Sequence, residues 1–237
     1  MSGRLERLRS LMSTKKIAAA LFSNPVNIAY LSGFTGTAGC LLVTAEGGYL
    51  FTDFRYLQQA QNETREFTIV DGGQSSWHKV ADLLALLGID GLTVEADHLT
   101  VDGYHKMDAA LSGVTVSAVP SLAAELRRIK SVEEQSALEA VVLLTDRAFL
   151  HIQPYLRAGV RERDVALELE FFLRRHGATA VSFQFIVASG HRSALPHGVA
   201  GALIVTCSGF APLQADCKRK SHYNEWTFRA SAQPDVN

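Results

Sequence analysis

A histidine fixed between proline and glycine can do chemistry. In Ser193-Ala194-Leu195-Pro196-His197-Gly198 the proline restrains the backbone ahead of the ring, and the glycine lets main chain approach a ligand closely. An imidazole titrates near neutrality, so His197 suits proton transfer or the binding of a carbonyl or carboxylate. His191 and Arg192 lie just upstream, and both side chains can bind anions. No nucleophile elbow marks a serine or cysteine, so no Ser-His-Asp arrangement is read here.

Three other stretches carry residue types with chemical potential. Leu31 to Gly39 reads L-S-G-F-T-G-T-A-G. A phosphate cradle would need a strand before it, a helix after it and, in a Walker loop, a Gly-Lys-Ser/Thr step. The lysine is missing and a strand follows, so the glycines read as a backbone turn. In Thr52-Asp53-Phe54-Arg55-Tyr56, Asp53 is placed to cap a helix and Arg55 to pair with it. Asp216, Cys217, His222 and Glu225 are all ligand types, but their order shows no pattern that would fix a metal in geometry. Cys40, Cys207 and Cys217 match neither a zinc signature nor a disulfide framework, and Cys40 sits in an apolar run as a buried thiol.

These residues need elements to hold them. Leu5, Leu8 and Met12 fall on one side of a short helix, and Ile17 to Phe22 has the length of a strand. Asn24-Pro25 reads as a break. Cys40 to Thr44 and Tyr49 to Thr52 read as strands joined by the turn Ala45 to Gly48. A helix over Phe54 to Asn62, a strand over Phe67 to Val70 and a helix over Trp77 to Leu87 capped by Gly88 follow. Leu92 to Glu95 is strand-like, Val101 to Leu111 helical and Val114 to Val119 strand-like. This alternation predicts an α/β domain with a mixed or largely parallel sheet. The texture then changes between Pro120 and Ser131. Ser131-Val132-Glu133-Glu134 has the form of a capping box. Leu138, Val142, Thr145, Phe149, Ile152 and Leu156 recur behind it at helical spacing. Pro154 should loosen the end of that helix. A second helix runs from Arg161 to His176, with Val165, Leu169, Phe172 and Leu173 on its apolar face, and Ser182 to Val187 reads as a strand.

Composition narrows the function classes. The chain has 237 residues with 47% hydrophobic residues, enough for one or two packed domains. Lys and Arg total 23 against 24 Asp and Glu, so the basic excess of a nucleic-acid binder is missing. The apolar runs are too short to span a bilayer, and the charged start lacks an apolar signal segment. These features predict a soluble, cytoplasmic protein with neither nucleic acid nor membrane as partner.

At this point the residues resemble a known family. N-I-A-Y-L-S-G-F-T-G-T-A-G (Asn27 to Gly39) followed by F-T-D-F-R-Y (Phe51 to Tyr56) is similar to the N-terminal domain of creatinase, prolidase and aminopeptidase P. R-R-I-K-S-V-E-E (Arg127 to Glu134) resembles the junction into that family's catalytic domain. G-V-R-E-R-D-V-A-L-E-L-E (Gly159 to Glu170) and S-F-Q-F-I-V-A-S-G-H-R-S-A-L-P-H-G (Ser182 to Gly198) resemble its opening segments. The resemblance spans about residues 4 to 200.

It implies a creatinase-like α/β domain over residues 1–125, the incomplete start of an α+β pita-bread peptidase domain over 126–200, and a tail, 201–237, outside the family pattern. It implies hydrolysis of the bond before proline, with proline-containing peptides as substrates. In the complete family two divalent metals, commonly manganese, cobalt or zinc, are held by two Asp, one His and two Glu. His197 matches the family's substrate-contacting histidine, which assists proton movement near the leaving proline, and Phe183 would lie near the substrate pocket. Here Ala200 leads into G-A-L-I-V-T-C-S-G-F, and 40 residues follow His197. The expectation is therefore a truncated, inactive chain that binds no metal, with its tail an altered reading of the gene. The alternative is a non-enzymatic module in which the N-terminal domain serves dimerisation or regulation. A homodimer, or association through exposed apolar surface, is expected.

Overall fold

The computed structural model describes residues 2–73, 76–194, 196–205 and 228–229. The chain divides into two units, Met1–Lys130 and Ser131–Asn237.

The first unit is built on six strands: β1 (Ala19–Phe22), β2 (Cys40–Thr44), β3 (Gly48–Thr52), β4 (Thr68–Asp71), β5 (Gly91–Glu95) and β6 (Thr115–Val119). Their order is β4-β3-β2-β1-β5-β6. β2 pairs antiparallel with both β1 and β3, while β3–β4, β1–β5 and β5–β6 are parallel. The sheet is therefore mixed. Its central strands are apolar throughout because both faces are covered. Ala20, Phe22, Leu41, Val43 and Leu50 point into one core with Leu5, Leu8 and Met12 of α1 (Ser2–Thr14), together with residues of α2 (Pro25–Ser32) and α6 (Leu122–Arg127). Ala19, Leu21, Cys40, Leu42 and Phe51 point into the other. There they meet Val80 and Leu84 of α4 (Ser76–Leu86) and Met107 of α5 (Val101–Ala110). Cys40 is sealed in this second core, and burial pushes its thiol up to about 12.

Two helices were not legible beforehand. Asn24-Pro25 reads as a break, yet it starts α2: the Asn24 side chain accepts from the Val26 N–H at 3.0 Å, and Pro25 supplies a preset first turn. α2 stops at Gly33, whose φ of 86° lies in the left-handed region. The second is α6, a six-residue helix at the unit boundary. α3 (Leu57–Glu63) begins three residues later than the pattern predicts. Asp53 holds the preceding turn rather than the helix, accepting from the Arg55 N–H at 3.0 Å and pairing with its guanidinium at 2.9 and 2.7 Å.

One buried carboxylate joins distant parts of this unit. Glu95, at the end of β5, is 3% exposed. It accepts from the Ser23 and Asn24 N–H groups at 2.8 and 2.9 Å, and from Asn27 Nδ2 and Ser121 Oγ at 2.6 Å each. Arg127 at the end of α6 donates to Asn27 Oδ1 at 3.0 Å.

In the second unit the capping box is formed: Ser131 Oγ accepts from the Glu134 N–H, and the Glu134 carboxylate accepts from the Ser131 N–H. α7 (Val132–Ile152) ends in a 3-10 turn, Gln153–Tyr155, at Pro154. α8 (Glu162–Arg175) follows and packs on the end of α7 through Ala148, Ile152, Val165 and Leu169. His151 bonds Glu168 at 2.7 Å and stacks on Phe172, with ring centroids 4.3 Å apart. The strand predicted over Ser182 to Val187 is reduced to β7 (Val187–Ala188), which pairs with β8 (Phe228–Arg229). Pairing sets a strand's length, and Ser182 and Phe183 form a bend instead. Among the described residues, no helix is long and apolar enough to cross a membrane.

Replacing Glu95 by Ala strands four donors in the first unit. Urea denaturation of Glu95→Ala is expected to show a loss of about 3 kcal/mol, from the desolvation cost of unsatisfied buried groups.

Candidate functional site

The His197 loop is carried by α8 and β7. After β7 the chain passes through Ser189 and a 3-10 turn, Gly190–Ala194, and then Pro196-His197-Gly198. It returns alongside the start of α8. Ile186 bridges Val199, and Arg161 bridges Ile204. Gly159 N and Glu162 N donate to Val205 O and Leu203 O at 3.1 and 3.0 Å, and Arg163 N donates to Gly201 O at 3.1 Å. Residues 201–205, set apart from the family pattern on sequence, are thus hydrogen-bonded to residues 159–163. His197 and Pro196 are exposed. The His197 carbonyl accepts from the Val199 N–H at 2.9 Å, closing a tight turn. Phe183 lies half-buried on the bend that leads into β7, where Phe185 joins the core of α7 and α8.

The residue that organises this loop is one the sequence reading passed over. Glu162 opens α8 and is fully buried, at 0% exposure. Its Oε1 accepts from Ser189 N at 2.8 Å and Ser189 Oγ at 3.1 Å. Its Oε2 accepts from Gly201 N at 3.1 Å and from Arg192 Nη1. The other guanidinium nitrogen, Arg192 Nη2, donates to Val199 O at 2.8 Å. Arg192 is therefore committed inside the loop, and its suggested role as an anion binder gives way to a structural one. The side chains of His191 and Leu195 lie outside the described residues.

Burial by itself would raise the Glu162 pKa, because a desolvated carboxylate resists charge. The N–H groups of Ser189 and Gly201, the Ser189 hydroxyl and the Arg192 cation outweigh that penalty and hold the group below its ordinary value of 4.5.

The described residues do not form a metal cage. Among the described residues, no three His, Cys, Asp or Glu side chains converge on one point. Asp216, Cys217, His222 and Glu225 lie outside the described residues, as does the basic run Lys218-Arg219-Lys220. The loop 33–39 is likewise no phosphate cradle: helix α2 precedes it, β2 follows it, and Glu63 pins it by accepting from Thr35 N and Oγ1 at 2.7 and 2.8 Å.

A mixed-sheet α/β unit thus precedes a unit in which paired helices carry a Pro-His-Gly loop. Residues 4–129 match the Creatinase/Prolidase N-terminal domain, and residues 136–215 match metallopeptidase family M24. The chain belongs to the creatinase/prolidase family. It is 36% identical over 224 residues to the peptidase YqhT of Bacillus subtilis, covering 94% of this chain and 64% of that protein. The Xaa-Pro dipeptidase of Bacillus anthracis superposes with a TM-score of 0.82 at 38% identity, covering 86% of this chain and 57% of that one. The X-Pro aminopeptidase of Thermotoga maritima gives 0.76 at 30% identity, with the same two coverages. The chain thus spans roughly three fifths of the length of these relatives. Its fold is a creatinase-type N-terminal domain followed by part of a pita-bread peptidase domain.

The Glu162 geometry gives a pH dependence of defined sign. The folded state holds this carboxyl below 4.5, so its contribution to stability is fully present above that value. The contribution is lost as pH falls through the folded-state value. Hydrogen exchange of residues 186–201 is expected to accelerate in that acid range, and Glu162→Gln is expected to flatten the dependence.

Proposed function

We propose that this chain carries the substrate-side histidine of an Xaa-Pro peptidase, and that the polypeptide by itself does not hydrolyse the bond before proline. The observation that carries this reading is His197. It stands exposed in Pro-His-Gly, on a loop closed at both ends, within the residues that match the M24 peptidases. An exposed imidazole beside a rigid proline can meet a substrate carbonyl or carboxylate and move a proton at its ring nitrogens. Phe183 supplies an apolar wall to the substrate pocket in this reading. The divalent metals of the complete family would supply the activated water. This chain's described residues offer no cage for them, so no step is assigned through a metal here.

A second reading gives the N-terminal unit a role of its own, as a dimerisation or regulatory module. It is favoured by a sheet whose two faces are both closed by its own helices. We place the protein in the cytoplasm as a homodimer. Association is supported by α7, where Leu138, Val141 and Val142 are 44, 62 and 44% exposed on one side of the helix.

An assay of the full chain on Xaa-Pro dipeptides, with manganese, cobalt or zinc added, is expected to give no chelator-sensitive turnover. Metal analysis is expected to find less than one tightly held ion per chain. Robust turnover with a stoichiometric metal pair would overturn the reading. Light scattering should report a dimer or larger species, and Val141→Glu with Val142→Glu should shift it toward monomer.

A further inference from the structure

Glutamate in the first turn of a helix is ordinary, since the helix N-terminus favours negative charge. Such a residue is normally left in water. Glu162 is completely buried, and every donor its side chain meets comes from the loop that bears His197. Helix capping does not require that arrangement.

Arg192 and Val199 are the two feet of an arch that carries the Pro-His-Gly turn. One guanidinium holds both: Arg192 springs from the first foot, and its Nη2 grips the Val199 carbonyl at the second, two residues beyond His197. The Glu162 carboxylate anchors that guanidinium from below. Two further contacts set its position. Ser189 donates through N–H and O–H ahead of the arch, and Gly201 donates its N–H after it. Gly201 also leaves the room this requires. A Cβ there would lie 3.3 Å from Arg192 Nη1 and 3.6 Å from Glu162 Oε2, tight against the ion pair.

We propose that Glu162 and Arg192 are the positioning pair for His197, fixing the height and direction of the Pro-His-Gly turn by bracing both ends of its arch. The catalytic meaning of this positioning rests on the role given to His197 above; the positioning itself does not. Neither side chain is assigned a contact with substrate.

Two substitutions separate bracing from general support of the fold. Glu162→Gln keeps shape and one acceptor, but turns an amide donor toward the donors it must satisfy. Arg192→Lys keeps the charge opposite Glu162, but one ammonium cannot grip Val199 O in the same fork geometry. The measurements are amide exchange by mass spectrometry across residues 186–205, and imidazole nitrogen correlation spectra of the full chain with labelled histidine. His151, paired with Glu168 in the same unit, serves as internal control.

In both variants the segment around Val199 is expected to exchange about tenfold faster, as a locally opened loop does. The His197 signals should shift or broaden while those of His151 stay in place. Unchanged exchange at Val199 and an unchanged His197 signal would overturn the proposal. If Glu162→Gln also disturbs His151, α8 itself has loosened and Arg192→Lys alone decides by the same criteria. Neither readout involves turnover. Failure of the peptidase reading would leave a positive result standing, and a negative result here would leave that reading untouched.

Discussion

A carboxylate taken out of water must be met by donors, and in both units one buried glutamate sets the local geometry by collecting them. Leaving such a charge uncompensated costs several kcal/mol, so the segments that supply donors are held to narrow positions. Glu95 gathers residues 23–27 and Ser121 at the end of β5. Glu162 gathers Ser189, Arg192 and Gly201 at the start of α8. In each case strands and helices bring the carboxylate into place, and the carboxylate then fixes loops that have little regular structure of their own.

This division of labour explains how an exposed histidine can sit in a defined place. β7 has two residues, too few to orient a loop of about a dozen by ladder bonds alone. The bridge between Ile186 and Val199 adds one point of register. Main-chain bonds from the start of α8, such as Arg163 N to Gly201 O, hold the returning end, and the side-chain restraint is concentrated in the Glu162–Arg192 pair. Arginine suits this use because its planar fork makes two directed bonds at once, one to a carboxylate and one to a carbonyl. A loop built in this way keeps its tip open to solvent while its base stays dry.

The elements that could be read from the sequence are those whose signal is local. Leu5, Leu8 and Met12 lie on one helical face and are buried together. Ser131 and Glu134 announce a capping box that the structure forms. The strands with runs such as Cys40 to Thr44 were recognisable because both faces are apolar. What escaped has either an ambiguous local signal or a dependence on residues distant in sequence. α2 hides behind Asn24-Pro25, where the same pair that ends one pattern caps the next. The strand expected over Ser182 to Val187 fails because its outer residues lack a pairing partner among the described residues. Arg192 looked like an anion binder because its partner lies 30 residues upstream. Glu162 gave no signal at all: an acidic residue opening a helix is the commonplace reading, and burial cannot be seen in a single chain of letters. The Pro-His-Gly motif itself was legible, while what holds it was not.

The two halves of α7 stand on different physical footings. One stripe runs along the helix through Leu138, Val141, Val142, Ala148 and Ile152. Its C-terminal end is buried by α8, with Ala148 at 3% and Ile152 at 1%, while its N-terminal end is open. Tertiary packing supplies most of the stability of helices in proteins, so the first half of α7 relies on its capping box and on helix-forming residues such as Ala137, Leu138, Glu139 and Ala140. A capping box is worth about 1 kcal/mol, whereas each apolar side chain brought from exposure to full burial is worth about 2 kcal/mol. Leu138, Val141 and Val142 together therefore hold more unspent stabilisation than the cap provides. Any surface that covers them, from a second copy or from further chain of the kind the longer relatives possess, gains affinity and order from the same contact. The open stripe makes the stability of α7 depend on what it meets, while the Glu162 clasp, complete within its own unit, does not share that dependence.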